Sequence, residues 1–410
     1  MKNNTGISDL IKGTGLVLAF MLAACSGGQS GGAGTFRISA GDQALVHAPA
    51  YADLPSGTYE DNDVVCLATG SGTVAGQIET ISSSTQRLWW IANQPAGETA
   101  TYAISPETRC SETSFSWQTV NDQSTRLVLG DQPVLQYEHP VYDADNVEDT
   151  KKPYHHVFRP GGHQMISKGL GGLYPHHRGI FFGYSEIYRE GSDQRINIWS
   201  SGNGERSEHV EIIREFSGPV MGGHIVRISW KDHDGIPFAE ETRVLRVFQQ
   251  PAGESLIDFH TTLTATDGPV RLEGDRQHAG VQFRAAQVVA DHAGQNQFIR
   301  PDHLAHVQPA EEIGEDDMMN LPWNAMHFSN DELPFTIVYM SHPSNPDAEM
   351  SERLYGRFGE YFPHYLTADD PLEARYRFWI TSGAVPSASG INIRHHAYTG
   401  SPSAELTGAD

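Results

Sequence analysis

Histidine is the side chain best suited to moving a proton near neutral pH, and 20 of the 410 residues are histidine. Their densest run extends from Tyr154-His155-His156 to Gly183. It holds His155, His156, His163 and the string Tyr174-Pro175-His176-His177-Arg178-Gly179. Pro175 and Gly179 point to a constrained turn that leads into Ile180-Phe181-Phe182. In an extended segment the adjacent His176 and His177 face opposite ways, so one of the two enters a given site. A second cluster is Gly274 to Arg284. Alternation there puts His278, Gly280, Gln282 and Arg284 on one strand face and Ala279, Val281, Phe283 and Ala285 on the other. Asp275 can orient a histidine or accept a sugar hydroxyl; Gln282 and Arg284 can hold hydroxyls or a carboxylate. Glu240 and Glu241, next to Arg243, offer a carboxylate as general base. Trp199 and Trp379 offer ring faces on which a sugar can stack. Each group also has a plainer reading: hydrogen-bonded structural histidines, a solvated strand face, an exposed ion pair, and tryptophans packed in a core.

The standard catalytic strings are missing. The chain has no Walker loop and no H-E-x-x-H, and its G-x-S-x-G match, Gly28 to Gly32, lies in the Gly/Ser-rich tether, not at a strand-to-helix elbow. No histidine spacing is diagnostic of a metal, so no metal site is expected. The chemistry that this set supports without a cofactor is proton transfer.

The elements that must position these side chains read as β-strands. From Phe36 onward, short runs such as Val64-Val65-Cys66-Leu67 and Arg126-Leu127-Val128-Leu129 are broken by Gly, Pro, Asn, Asp and Ser about every ten residues. This texture predicts an all-β fold, an antiparallel β-sandwich with a smaller amino-terminal β-domain. Residues 36–124 are expected to form the small domain, 125–399 the main sandwich, and 400–410 a polar tail. Ser351 to Phe358 reads as one short helix. Along His224 to Trp230, residues Val226, Ile228 and Trp230 share a face; in Arg375 to Ile380, Tyr376, Phe378 and Ile380 oppose Arg375, Arg377 and Trp379.

The amino terminus reads as an export signal over residues 1–24. Lys2 and Lys12 precede the apolar run Gly13 to Ala24. Twelve helical residues rise about 18 Å, against about 30 Å for a bilayer core. The run ends in Leu22-Ala23-Ala24-Cys25, which resembles the bacterial lipobox, in which the cysteine sulfur is acylated. Residues 25–35 then form a lipidated, Gly/Ser-rich flexible tether. The expected partner is thus a lipid bilayer, held through acylated Cys25, with the chain in the cell envelope outside the cytoplasm and Ser26 pointing to the outer membrane. Cys66 and Cys110 remain as an even pair in an oxidising compartment. They are read as a disulfide, with two buried free thiols as the alternative. The net charge of −23 argues against nucleic acid as a partner. Nothing in the sequence sets an oligomeric state.

The larger body resembles a family of exported bacterial proteins labelled the methane oxygenase PmoA family. The residues that carry the resemblance are Pro133-Val-Leu-Gln-Tyr137, Tyr142, Tyr174 to Gly183, Ile198-Trp199, Gly274 to Arg284 and Leu372 to Trp379. It spans roughly Thr125 to Thr399. The resemblance implies a secreted β-sandwich of the kind met in glycan-degrading bacteria. A membrane oxygenase subunit needs several apolar helices, which this chain lacks, so the label carries no activity over. The architecture is also similar to the large sandwiches of sugar mutarotases, where His and Glu do acid–base chemistry, an analogy of fold alone.

Together these readings give a carbohydrate-active enzyme, a lyase, epimerase or hydrolase on glycan-derived sugars. His177 or His278 is the expected acid or base, with Glu240 or Glu241 as counterpart. His156, His176, Arg178, Trp199, Asp275, Gln282, Arg284 and Trp379 are the expected substrate contacts. Two facing carboxylates are not evident, which favours lyase or epimerase chemistry over direct hydrolysis. The alternatives are a non-catalytic glycan-binding lipoprotein and a structural envelope lipoprotein.

Overall fold

The computed structural model describes residues 34–407, except 108, 305–315 and 331–332. The export signal, Cys25 and most of the tether lie outside the described residues.

Strict alternation along long strands builds two eight-stranded antiparallel sheets. The front sheet runs, in spatial order, Glu349–Arg353, Arg357–Tyr361, Ala279–Arg284, Ile180–Tyr184, Tyr154–Val157, Gln132–Glu138, Ser124–Leu129 and Phe115–Asn121. The back sheet runs Arg206–Phe216, Met221–Lys231, Pro237–Phe248, Glu254–Ala265, Leu372–Ser382, Phe335–Ser341, Trp323–Phe328 and Asn296–Ile299. Their inner faces share one core. In the front sheet Phe182 stands opposite Val281, and Ile180 opposite Phe283. In the back sheet Leu245 opposes Phe259, which in turn opposes Tyr376. All of these are buried in one apolar cluster. Each such side chain contributes about 1.5–3 kcal/mol on leaving water, which fixes the register because a one-residue slip would turn every one of them outward. The fold is the all-β sandwich that the strand texture predicts.

A third sheet of seven strands is built from residues 35–105 together with Glu405–Leu406. It packs on the outer face of the back sheet, where Trp89 and Ile91 meet Phe248, Trp379 and the helix Ala388–Gly400. Gln77 Oε1 fastens the junction by accepting from the backbone N–H groups of Val220 (3.1 Å) and Met221 (2.9 Å). Cys66 and Cys110 form a disulfide with Cα atoms 5.6 Å apart.

Three expectations need correction. The small domain does not reach residue 124: Phe115–Asn121 pairs with Ser124–Leu129 in the front sheet, because a tight turn at Asp122-Gln123 makes the two runs a hairpin. The polar tail is not a separate segment: within residues 400–407, Ser403 bridges to Tyr51 and Glu405–Leu406 pairs with Phe36 and Arg37. Ser351 to Phe358 is not helical. Gly356, at φ +85°, takes the left-handed turn that joins Glu349–Arg353 to Arg357–Tyr361.

Candidate functional site

On the front sheet, register decides which side chains emerge outward. Phe181 lies opposite Gln282, and Arg284 opposite Arg357. These four stand on the outer face while Ile180, Phe182, Val281, Phe283 and Phe358 enter the core. Two glycines permit close layering. A Cβ on Gly179 would lie 2.0 Å from the His155 carbonyl oxygen, and one on Gly280, at φ +82°, would lie 1.9 Å from that of Glu360.

The histidine-rich loop is clamped over this face. Lys168 Nζ donates to the carbonyls of Gly169 (3.3 Å), Gly171 and His177 (3.3 Å). Gln287 Oε1 accepts from the Leu173 N–H at 2.8 Å. Tyr174 sits at φ +52°, a conformation uncommon outside glycine, and its carbonyl accepts from the His177 N–H at 3.0 Å. A second loop is held by Lys152, whose Nζ donates to the carbonyls of Ile198 (3.4 Å) and Trp199.

These clamps bring His177 to the centre of an aromatic nest. Its ring stacks on Phe181 at 5.8 Å and on Tyr355 at 6.2 Å, and meets Trp199 edge-on at 5.4 Å and His176 at 4.4 Å. His177 is buried, and neither ring nitrogen has a hydrogen-bond partner among the described residues. The same holds for Trp199 Nε1 and for Arg284 Nε and Nη2. Arg284 uses Nη1 alone, donating to the carbonyls of Ala285 (2.8 Å) and Tyr355. The Tyr355 ring lies 4.9 Å from the Arg284 guanidinium carbon, and its hydroxyl accepts from Arg357 Nε at 3.3 Å. At the rim, His278 is about half exposed, 6.2 Å from Trp199, with Nδ1 held by Asp275 at 2.9 Å.

Burial governs the electrostatics. It pushes the His177 imidazole far below the ordinary histidine range, and the neighbouring His176, Arg357, Arg284 and Lys152 push the same way. His176 is pushed down to about 3 by burial and then by Lys152 and Lys151. Burial also lowers Lys168 to about 8, Arg284 to about 10, and Lys152 well below the lysine range. His177 is therefore a neutral imidazole at neutral pH, its nitrogens without a partner among the described residues, and burial and the neighbouring cations oppose its protonation until an anion settles beside it.

His177, His176, Trp199, Arg284, His278 and Asp275 are thus brought together. Three other expected contacts serve as supports. His156 faces Ser167 Oγ at 3.1 Å beneath the loop. Arg178 donates to the Glu148 carbonyl (2.8 Å) and carboxylate (3.2 Å), fastening the loop to Val147–Thr150. Gln282 is buried with its amide spent on the Ala279 carbonyl (3.0 Å) and on Arg357 (2.9 Å). The remaining three lie elsewhere. Glu241 is sealed between the sheets, paired with Arg243 at 2.7 Å and accepting from Trp230 and Thr261. Glu240, on the outer face of the back sheet, pairs with Arg227 at 3.6 Å. Trp379 is covered by Arg394 of the carboxy-terminal helix at 4.1 Å, with Nε1 donating to Glu254. Neither glutamate is the counterpart of His177. Of the other histidines in the string, His155 turns inward to face His224 Nε2 at 2.8 Å, and His163 is exposed.

Sequence reasoning missed Tyr355, Arg357, Lys152 and Lys168. Tyr355 lay in the segment read as a helix, and the lysines left no signal beyond standing beside the histidine strings. Among the described residues no group of three or more His, Cys, Asp or Glu gathers in metal-holding geometry.

Fold and site define a two-sheet antiparallel sandwich with a histidine–arginine–tryptophan site on its outer face. A family model matches residues 124–393, well over half of the chain and including every residue of that site. The chain belongs to this family, which is described as a family of unknown function (DUF6807). No curated protein matches the chain significantly.

Proposed function

We propose that the protein is a carbohydrate-active enzyme that works by proton transfer at the outer-face site. The observation that carries this reading is the buried, neutral His177 ring, both nitrogens unpartnered among the described residues, set among Trp199, Tyr355 and Arg284. A structural histidine of this burial normally spends its nitrogens on hydrogen bonds. A ring that does not is available to a reacting group. Trp199 and Tyr355 supply apolar faces for a sugar ring, and His278, oriented by Asp275, supplies a second proton-carrying group at the rim. Of the carboxylates near the site, Asp275 is engaged with His278, Glu148 with Lys151 and Arg178, and Asp291 with Gln287. With these carboxylates committed to partners among the described residues, the reading favours lyase or epimerase chemistry over hydrolysis by a facing carboxylate pair.

The same proposal places the enzyme in the cell envelope, outside the cytoplasm, on an acyl anchor at Cys25. The Cys66–Cys110 disulfide agrees with an oxidising compartment. Labelled palmitate should enter the wild-type chain and not Cys25→Ala.

The enzymatic reading is tested by NMR product analysis of the full chain incubated with glycan oligosaccharides, beside a His177→Ala/His278→Ala variant. New product resonances that vanish in the variant support the enzyme. Ligand line-broadening without turnover in either protein would favour a glycan-binding lipoprotein instead.

A further inference from the structure

Arginine grips a carboxylate best along the edge formed by Nε and one terminal nitrogen, which donate two parallel hydrogen bonds. This chain uses that edge repeatedly. Arg87 holds Asp53 with Nε at 2.7 Å and Nη2 at 3.0 Å. Arg377 holds Asp258 at 2.6 and 2.8 Å, and Arg243 holds Glu241 through the same two nitrogens. Arg284 presents the same edge, Nε and Nη2, fully buried and without a hydrogen-bond partner among the described residues.

The neighbouring cations repeat the pattern. Arg357 is buried and donates to Gln282, Ser351 and Tyr355, all neutral. Lys152 and Lys168 are buried and donate to backbone carbonyls. None of the four forms an ion pair with any described residue. A chain of net charge −23 has a surplus of carboxylates to place beside them. A buried cation without an ion pair is costly; the carboxylates that act on these groups, Asp291 on Arg284, Asp275 on Arg357 and Glu148 on Lys168, lie beyond ion-pair distance, so the two arginines and Lys168 together favour an incoming negative charge.

We infer that the substrate is an acidic sugar, a uronate-type residue whose carboxylate docks on the Nε/Nη2 edge of Arg284. The inference rests on the proposed sugar site and names its substrate class. Tyr355, at the tip of the hairpin Glu349–Tyr361, covers the guanidinium and swings aside as the carboxylate enters. The carboxylate then lies within the field of Arg357, and its charge raises the basicity of His177.

The test is calorimetric titration of the full chain in detergent with sodium glucuronate and sodium galacturonate, with glucose and galactose as neutral partners and sodium phosphate as a competing anion. The expected result is that the acid binds about tenfold or more tighter than its neutral partner. Arg284→Lys keeps the charge but loses the two-nitrogen edge, and should erase most of that preference. Circular dichroism of Arg284→Lys checks that the hairpin still folds. If it does not, Tyr355→Ala, which uncovers the edge but removes a stacking face, should weaken glucose binding while raising the ratio of uronate to glucose affinity. Equal affinity for acid and neutral sugar overturns the inference, and so does uronate binding indifferent to both variants. Phosphate binding without uronate binding also overturns it. Turnover of a neutral sugar at this site would sink the acidic class and leave the enzyme reading standing. An acid preference without turnover would do the reverse.

Discussion

Each buried polar atom left without a partner costs a folded protein about 1–3 kcal/mol, and the His177 ring carries two of them. His177→Leu removes both atoms and keeps a side chain of similar volume. Thermal melts should therefore show a variant at least as stable as the wild type, or within about 1 kcal/mol of it, while turnover disappears. A large loss of stability would mean that the imbalance at His177 is only apparent. The glutamates should behave the other way round. Glu241→Gln breaks a sealed pair with Arg243 and should lose about 3–5 kcal/mol in urea unfolding, whereas Glu240→Gln at the surface should change stability by less than about 0.5 kcal/mol. The histidine string was legible because adjacent histidines with Pro175 and Gly179 are unusual in a strand protein. The fate of Glu241 was not. Alternation tells which residues share a face, but it cannot tell a solvated polar face from a polar nest sealed between sheets.

Strands place the site, and their spacing is set by residues that have no side chain. The Gly179 Cβ position falls 2.0 Å from the His155 carbonyl oxygen, where no atom fits. Gly179→Ala should push the histidine loop off the front sheet, cost about 1–3 kcal/mol and lower turnover through misplacement of His177. Retention of wild-type activity by this variant would uncouple the loop from the chemistry. At this scale the sequence was informative where alternation ran long, as in His224 to Trp230 and Ala279 to Ala285. It misled where a turn broke a short run. The hairpin Glu349–Tyr361 carries Tyr355 and Arg357 into the site, yet Ser351 to Phe358 lacks the length for alternation to outweigh a helical reading. The longest helix among the described residues, Ala388–Gly400, went unseen because Gly390 and the β-branched Ile391, Ile393 and Thr399 blur its pattern, although Ser387 caps it by accepting from the Gly390 N–H.

Across the whole molecule, burial keeps many histidines neutral. His224 is held at about 3, and His156 and His209 at about 4, against an ordinary 6.5. Below pH 6.5 the unfolded chain takes up protons that the folded chain refuses. The stability present above that pH is therefore lost as pH falls toward 4 and 3. Melting temperature should drop steadily from pH 6.5 to 4, and a flat profile would contradict the neutral, buried state of these rings. Fold class was legible from turn spacing alone, but the boundary near residue 124 was not, because one hairpin carries Phe115–Asn121 into the front sheet with no linker to mark it. The proposed function requires that His177 moves protons on a sugar. The most direct measurement is the turnover of uronate-containing oligosaccharides by wild type, His177→Leu and Glu240→Gln, each shown to be folded. Loss of about a hundredfold or more in His177→Leu alone is the predicted result; equal rates in all three proteins would contradict it.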